Sequence, residues 1–151
     1  MHTPSLLRAT ACAILGLHGA AAFALDPLSY ANYDQVKTRA LHLDLKADFT
    51  KKTLAGHAEL TLDWLDKDAR RLDLDTRELS IAKIEAIDGR GRWSPVKYRL
   101  DKFDEEKGQA LHIDLPRQAP KVRIYYRTAP TASALQWLTP AQTLSGKRPF
   151  M

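Results

Sequence analysis

Cysteine is almost absent from this chain, since the only one is Cys12, near the N-terminus. A single thiol forms no disulfide within the chain and supplies no cluster of thiolate metal ligands. Any fold must therefore be stabilised by an ordinary apolar core.

Sequence motifs of catalysis are also missing. Neither His-Glu-x-x-His nor Gly-x-Ser-x-Gly occurs, and there is no Gly-rich phosphate loop. Gly89-Arg90-Gly91 is typical of a hairpin turn instead. Ser133 and Ser145 have no histidine or acid at a meaningful spacing. The sequence therefore predicts no nucleophilic site of its own.

No charge of one sign dominates the chain. The formal net charge is +5, and basic residues alternate with acidic ones, as where Arg70 and Arg71 lie beside Asp68 and Asp73. A nucleic-acid-binding surface needs basic residues concentrated on one face. The pattern indicates a mixed, solvated surface and argues against a nucleic-acid partner.

The long apolar run lies at the N-terminus, where residues 1–24 are predicted to be a cleaved export signal. Ala9–Ala22 is almost continuously apolar, and Ala22-Phe23-Ala24 is a small-x-small cleavage pattern that predicts a mature start at Leu25. A stable membrane anchor needs about 20 apolar residues, and this run is shorter. No membrane span is therefore expected after cleavage. A short buried helix and a lipid-modified Cys12 are the alternatives. The signal predicts an exported protein, periplasmic or secreted.

A helical period is absent from the rest of the chain, and a period of two replaces it. Apolar residues alternate with polar ones from Leu41 to Phe49 and again from Leu54 to Trp64. Each run predicts a strand with one face in the core and one in water. These two strands are expected to form a hairpin with an even number of loop residues, in which the residue numbers of each facing pair sum to 103. This register puts the apolar residues of both strands on the same face. It pairs Phe49 with Leu54, Ala47 with Gly56, Leu45 with Ala58, and Leu43 with Leu60.

Further short alternating runs predict more strands up to residue 126. They are marked by Leu72 and Leu74; by Leu79, Ile81 and Ile84, whose uneven spacing predicts a bulge; by Val96, Tyr98 and Leu100; by Leu111, Ile113 and Leu115; and by Val122, Ile124 and Tyr126. We therefore expect an all-β fold, an antiparallel β-sandwich or saddle of about seven strands. The domain is predicted over residues 25–131. Residues 25–35 form an extended leader on the sheet, and 132–151 an irregular tail.

Three histidines remain after the signal: His42, His57 and His112. In the expected register His57 pairs with Lys46, which is four positions from His42. His42 and His57 are therefore expected to lie about 13 Å apart along the strand. A zinc site needs ligands that converge on one ion. All three are therefore interpreted as exposed strand histidines, and no metal ligand is assigned.

Two carboxylates, Asp44 and Glu59, face each other in the same register. Acid–base catalysis would require one of them to be buried with a raised pKa, and both are expected to be solvated. Among the tryptophans, Trp64 is predicted in the core and Trp93 near a turn, where it could be exposed. Trp137 is predicted to pack at a domain junction. No catalytic or substrate-binding residue is assigned.

Residues 132–143 read Ala-Ser-Ala-Leu-Gln-Trp-Leu-Thr-Pro-Ala-Gln-Thr. This stretch resembles the signature Ala-Ser-x-Leu-Gln-Trp-Leu-Thr-Pro-x-Gln-Thr of zinc aminopeptidases of the leukotriene hydrolase/aminopeptidase type. Residues 26–32, 41–64 and 72–81 resemble other segments of that family in the same order. The resemblance covers nearly all of the chain after the signal.

The resemblance implies a saddle-shaped N-terminal β-domain that covers a thermolysin-like catalytic domain and shapes its substrate entrance. In the family, Gly-x-Met-Glu-Asn binds the substrate amine, and His-Glu-x-x-His with a distant Glu binds zinc. None of these motifs lies within residues 1–151, so zinc is expected in a catalytic domain outside this chain. The Gly-Lys spacing within residues 142–150 departs slightly from the family pattern.

Three hypotheses follow from the sequence. The chain is the non-catalytic N-terminal domain of an exported zinc metallo-aminopeptidase, which releases N-terminal amino acids from peptides. Alternatively, it is a stand-alone exported β-sandwich that binds a partner, or a small enzyme with its own site. The first is preferred, because the chain contains no ligand cluster or catalytic triad and its apolar end at Phe150 and Met151 suggests a docking surface on the rest of the polypeptide.

Overall fold

A computed structural model describes residues 26–151 and shows an antiparallel β-fold. The predicted export signal and Leu25 lie outside the described residues. Over residues 26–151 there are eight strands, one more than the expected seven or so: β1 (Val36–Asp48), β2 (Thr53–Trp64), β3 (Arg71–Thr76), β4 (Leu79–Ile87), β5 (Trp93–Pro95), β6 (Lys97–Leu100), β7 (Gln109–Asp114) and β8 (Lys121–Thr128). A 3-10 turn covers Pro140–Gln142. No helix in the described part of the chain is long and apolar enough to cross a membrane.

The strands form two sheets that pack face to face. The five-stranded sheet has the order β1-β2-β8-β4-β5, and the three-stranded sheet has the order β3-β7-β6. Because side chains alternate across a strand, each sheet contributes one apolar face to a shared core. The largest fully buried side chains come from both sheets: Leu72, Ile84, Leu111, Ile113 and Val122. The all-β prediction is confirmed.

The first hairpin has the expected even loop but a different register. Asp48 pairs with Thr53, so the loop is Phe49–Lys52 and paired positions sum to 101 rather than 103. Ala47 therefore faces Leu54, Leu45 faces Gly56 and Leu43 faces Ala58. The sum of 103 was wrong, but the correct parity keeps the apolar sets on one face.

The position of Phe49 explains why β1 ends one residue earlier than expected. Instead of continuing β1, its ring packs edge-on against Trp137, with ring centroids 5.4 Å apart. Lys52 closes the loop with a positive φ of 53°, and its neighbour Lys51 donates its backbone N–H to the Asp48 carboxylate at 2.9 Å.

The expectation that β1 buries its apolar face is wrong along the middle of the strand. Leu41 and Leu43 are 58% and 51% exposed, although their cross-strand partners Leu60 and Ala58 belong to the core. The cause is that the five-stranded sheet is wider than its three-stranded partner, so the described strands of the smaller sheet do not extend over the outermost strand of the larger one.

The bulge expected in β4 is confirmed, since its pairing with β8 shifts between Ile81 and Lys83. The turn at Asp88–Gly91 is also present: the Gly91 N–H donates to the Asp88 carbonyl at 3.0 Å. Trp64 packs against the core as expected, and its indole Nε1 donates to the Ala119 carbonyl at 2.8 Å.

The leader contains two turns and follows the edge of the three-stranded sheet along β3. Asp75 accepts hydrogen bonds from the Ser29 hydroxyl at 2.6 Å and from the Tyr30 backbone N–H at 2.7 Å. The Asn32 side chain donates to the Arg71 carbonyl at 2.9 Å and accepts from the Asp73 N–H at 2.9 Å. These bonds satisfy backbone groups on one edge of the smaller sheet.

The tail after β8 is irregular and is held at two places. The Glu78 carboxylate accepts the Ser133 backbone N–H at 2.6 Å. Further along, Leu138 and Phe150 form an isolated antiparallel bridge, next to the packing of Trp137 on Phe49.

Candidate functional site

Charged and aromatic side chains form a ladder on the face of the five-stranded sheet that points away from the core. Glu59 lies at its centre, with the Lys121 ammonium 2.7 Å from one carboxylate oxygen and the Arg123 guanidinium 2.7 Å from the other. Its side chain is only 14% exposed. The expectation of a solvated Glu59 is therefore wrong, because two neighbouring cations from β8 cover it.

Aromatic rings extend the ladder in both directions. The Arg123 guanidinium lies 4.1 Å from the centre of the Trp93 ring, so this tryptophan is half-buried rather than free at its turn. The Lys83 ammonium lies 4.2 Å from the Tyr125 ring centre. On the other side of that ring, His57 is 5.2 Å away, centroid to centroid. Such cation–π contacts stabilise by about 0.5–1 kcal/mol each where they are exposed.

The acidic members of the ladder are held in their ionised form. Hydrogen bonds from Lys121 and Arg123 lower the pKa of Glu59. A hydrogen bond from Lys83 likewise lowers the pKa of Glu85, and this carboxylate raises the pKa of Lys83 in return. A general acid at neutral pH needs the opposite shift. The carboxylates of the ladder are therefore paired with cations and do not suit proton transfer.

The corrected register changes the neighbours of the sequence-predicted residues. His57 pairs with Asp44 and His42 pairs with Glu59, so neither the Asp44–Glu59 pair nor the His57–Lys46 pair forms. The His57 ring nitrogen lies 4.0 Å from the Asp44 carboxylate. His42 and His57 are closer along the sheet than the sequence estimate, since Asp44 is two positions from His42.

A second polar cluster lies on the outer face of the smaller sheet, and the sequence interpretation missed it. His112 is not exposed: its side chain is 15% accessible and lies between two carboxylates. Its Nδ1 is 2.6 Å from Asp73 and its Nε2 is 3.1 Å from Asp101. Arg71 approaches Asp73 at 2.9 Å, and Arg99 contacts Asp101.

Both ring nitrogens of His112 are occupied by carboxylates, so neither is left to activate a serine or a water. Asp73 is directly opposite His112 in the pairing of β3 with β7, but the two are far apart in sequence. Only the order of strands in the smaller sheet could have revealed the cluster.

The donor atoms of the described residues do not suit a zinc site. Over residues 26–151, no group of three or more histidine, cysteine, aspartate or glutamate side chains is arranged to hold a metal ion. The two nitrogens of His112 point to opposite sides, towards different partners. No catalytic step through a metal can be built on these residues.

The tail segment with the Leu-Gln-Trp-Leu-Thr-Pro stretch lies against the β1–β2 hairpin. Its Trp137 ring packs on Phe49, and its indole Nε1 is buried without a hydrogen-bond partner. A shallow cleft next to this contact is lined by hairpin residues Phe49 and Lys52 and by tail residues Leu138, Pro140 and Pro149.

Comparison with curated proteins gives relatives that are much longer than this chain. It is 35% identical over 134 residues to leucine aminopeptidase 2 of Pyricularia oryzae, a match that covers 85% of the chain and 21% of the relative. It is 33% identical over 131 residues to leukotriene A-4 hydrolase of Xenopus laevis, covering 83% and 21%. No family model matches the chain.

Solved structures agree in fold. Yeast LTA4 hydrolase in complex with bestatin superposes with a TM-score of 0.72 and 27% identity, covering 85% of this chain and 20% of that one. The native yeast enzyme gives 0.71 and 28%, covering 83% and 19%. The chain therefore spans about a fifth of the length of the proteins that it matches.

Proposed function

We propose that this chain, which matches the N-terminal domain of the leukotriene A-4 hydrolase/aminopeptidase family, is the non-catalytic β-domain of a zinc metallo-aminopeptidase. The observation that carries this proposal is the sequence match. About a third of the aligned residues are identical, and the alignment covers most of this chain but only about a fifth of each relative. A stand-alone binding module is the weaker alternative, because the relatives combine this region with much more polypeptide.

The domain's role in this proposal is structural. It covers one side of a catalytic domain on the same polypeptide and shapes the entrance through which peptides reach that domain. Zinc, held by the catalytic domain, would activate the attacking water. The coverage supports such a role, because the chain aligns with only about a fifth of each relative and so corresponds to one part of a longer polypeptide.

Metal analysis and an aminopeptidase assay, made on the full-length protein and on the 151-residue chain, test the proposal. We expect one tightly bound zinc and release of N-terminal amino acids from peptides for the full-length protein, and neither for the 151-residue chain. Stoichiometric zinc in the 151-residue chain, or a full-length protein without zinc and activity, would overturn it.

The same proposal includes export to the periplasm or the medium. The apolar run Ala9–Ala22 and the cleavage pattern before Leu25 support it. N-terminal sequencing of the protein from fractionated cells is the test. A start at Leu25 in the exported fraction is expected, and an intact Met1 in the cytosol would contradict export.

A further inference from the structure

A cleft of about 380 Å³ lies at one end of the sandwich, where it is lined by both the β4–β5 turn and the loop between β7 and β8. Small-molecule sites in proteins have a similar size, with apolar walls and a few polar groups that fix the orientation of the ligand. The lining of this cleft follows that pattern. It includes the apolar side chains of Ala86, Val96 and Ala119, the indole of Trp93, and the guanidinium groups of Arg92 and Arg117.

The first of the two arginines is paired within the cleft. The Arg92 guanidinium donates to one oxygen of the Asp88 carboxylate through both Nε and Nη2, at 3.1 Å each. The other oxygen of Asp88 accepts the backbone N–H groups of Arg90 and Arg92 at 2.8 and 2.9 Å. These bonds, the one from the Arg92 backbone above all, lower the pKa of Asp88. Asp88 and Arg92 therefore form a fixed pair without net charge.

The second arginine, Arg117, supplies the net positive charge of the cleft. Within residues 26–151 its guanidinium has no hydrogen bond or ion pair. The first 25 residues of the chain contain neither aspartate nor glutamate, so they bring no carboxylate side chain to it either. The cation of this cleft is consequently available to an anion from outside the chain.

The loop that carries Arg117 is held on both sides. Before it, the Leu115 N–H donates to the Arg70 carbonyl at 2.8 Å, and after it the Leu62 N–H donates to the Pro120 carbonyl at 2.9 Å. These bonds fasten the loop to β2 and to the start of β3. A cation on a backbone that is already ordered binds an anion at a lower entropic cost than one on a loose loop.

The aromatic part of the cleft is also fixed in advance. The Arg123 guanidinium lies 4.1 Å from the centre of the Trp93 ring and restrains the indole. A guanidinium binds the oxygens of a carboxylate or phosphate in a bidentate manner, and an indole packs well against flat apolar groups. The two features together select an anion that carries an apolar ring or a short apolar chain.

We propose that this cleft binds a small organic anion, whose carboxylate or phosphate group contacts Arg117 and whose flat apolar group packs against Trp93 and Val96. The inference goes beyond the proposed function, since the site requires neither zinc nor the catalytic domain. It assigns a ligand to an end of the sandwich for which the aminopeptidase reaction has no use.

Photoaffinity labelling of the full-length protein tests where such an anion binds. The probe is 4-azidobenzoate, which combines a carboxylate, an aromatic ring and a photoreactive group. We expect peptide mapping to find the label within residues 86–96 or 115–119, and an excess of benzoate to prevent the labelling. Label found only in other segments, or label that benzoate does not displace, would overturn the proposal.

Two arginine variants test the role of the cation. Arg117→Gln should raise the probe concentration needed for half-maximal labelling at least about tenfold, because charge-assisted hydrogen bonds are lost. Arg90→Gln is the matched control, since Arg90 is an exposed arginine of the same turn that does not line the cleft. Equal effects of the two substitutions, or none for either, would refute recognition by Arg117. Displacement by benzoate in the unsubstituted protein is a test that needs no substitution.

Competition by other compounds identifies the chemistry of the ligand. Phenyl phosphate and benzoate should both compete with the probe, and the stronger of the two shows whether phosphate or carboxylate is preferred. Inorganic phosphate and benzyl alcohol, which lack the ring and the charge respectively, should be at least about tenfold weaker. Inorganic phosphate as strong as phenyl phosphate would contradict the contact with Trp93, and benzyl alcohol as strong as benzoate would contradict the contact with Arg117.

Zinc removal separates this inference from the proposed function. Labelling of the cleft should be the same before and after treatment of the full-length protein with a chelator. Loss of the label together with the metal would place the anion on zinc and overturn the proposal. A full-length protein without zinc that still labels within the cleft would refute the aminopeptidase assignment and leave the anion site intact.

Discussion

Gly56 shows how a single missing side chain permits the first hairpin to close. It lies opposite Leu45, with a φ of 154°. A Cβ at this position would be 2.0 Å from the Asp44 carbonyl oxygen, far inside contact distance. The backbones of β1 and β2 therefore approach here more closely than any other residue type allows.

Gly56→Ala should lower the free energy of unfolding by about 3 kcal/mol or more, because backbone must move to relieve the clash. Urea unfolding of the 151-residue chain measures it. Gly89→Ala is the matched control, since nothing lies within 4 Å of the Cβ added there. Equal effects of the two substitutions would show that β1 and β2 are not in close approach.

Glu59→Gln should destabilise the chain at neutral pH by about 1 kcal/mol, because Lys121 and Arg123 lose their charged partner. The pKa of Glu59 is lowered from 4.5 in the folded chain. Its stabilising contribution is therefore complete above that value and is lost as the pH falls through the folded-state pKa.

The difference between Glu59→Gln and the unsubstituted chain should accordingly shrink as the pH is lowered below about 4.5. Urea midpoints measured from pH 7 to pH 3 provide the test. Glu105→Gln serves as a control on an exposed loop. A difference that stays constant over this range would mean that the Glu59 ion pair does not form.

At the scale of elements, facing residues of the first hairpin should differ sharply in their contributions. Leu60→Ala should lower the free energy of unfolding by about 3 kcal/mol, since Leu60 is 7% exposed. Leu41→Ala, its cross-strand partner, should cost less than about 1 kcal/mol in the 151-residue chain. Similar losses for both would show that Leu41 is already covered in the 151-residue chain.

The hairpin also marks how far sequence alone predicts an element. Alternation predicts which face is apolar and that the loop is even, because any other parity would expose one strand's apolar set. It does not predict where the loop begins, since Phe49 leaves the strand to meet Trp137, 88 positions further along. Nor does it predict that Leu41 stays exposed, which depends on the width of the opposite sheet.

The polar clusters were predicted less well than the strands. Glu59 is predicted at an outward position, but its partners Lys121 and Arg123 come from β8, whose place between β2 and β4 is a property of topology. His112 was wrongly interpreted as exposed for the same reason. Apolar alternation specifies local structure, whereas a charge network requires the strand order.

At the scale of the whole molecule, the leader ties the two sheets together. It is bonded to Asp75 on the smaller sheet and then continues into β1 of the larger one. Gln35, at its end, accepts the Leu65 backbone N–H at 2.8 Å. The leader therefore acts as a strap across the edge of the sandwich.

Asp75→Ala should release this strap and lower stability by about 1–2 kcal/mol, because two hydrogen bonds are lost. Limited proteolysis should then cut within residues 26–32 before the sandwich is attacked. Asp68→Ala, at an exposed acid in a turn, is the control and should leave the cleavage pattern unchanged. Resistance of the leader in Asp75→Ala would show that other contacts hold it.

The position of β8 in the larger sheet has a consequence for synthesis. β2 and β4 leave the ribosome well before their shared neighbour, which is the last of the eight strands. Until residue 128 has emerged, the nascent chain has two separate hairpins with unpaired inner edges, and such edges bind other strands. The larger sheet can therefore be closed only once β8 is available to pair with both β2 and β4.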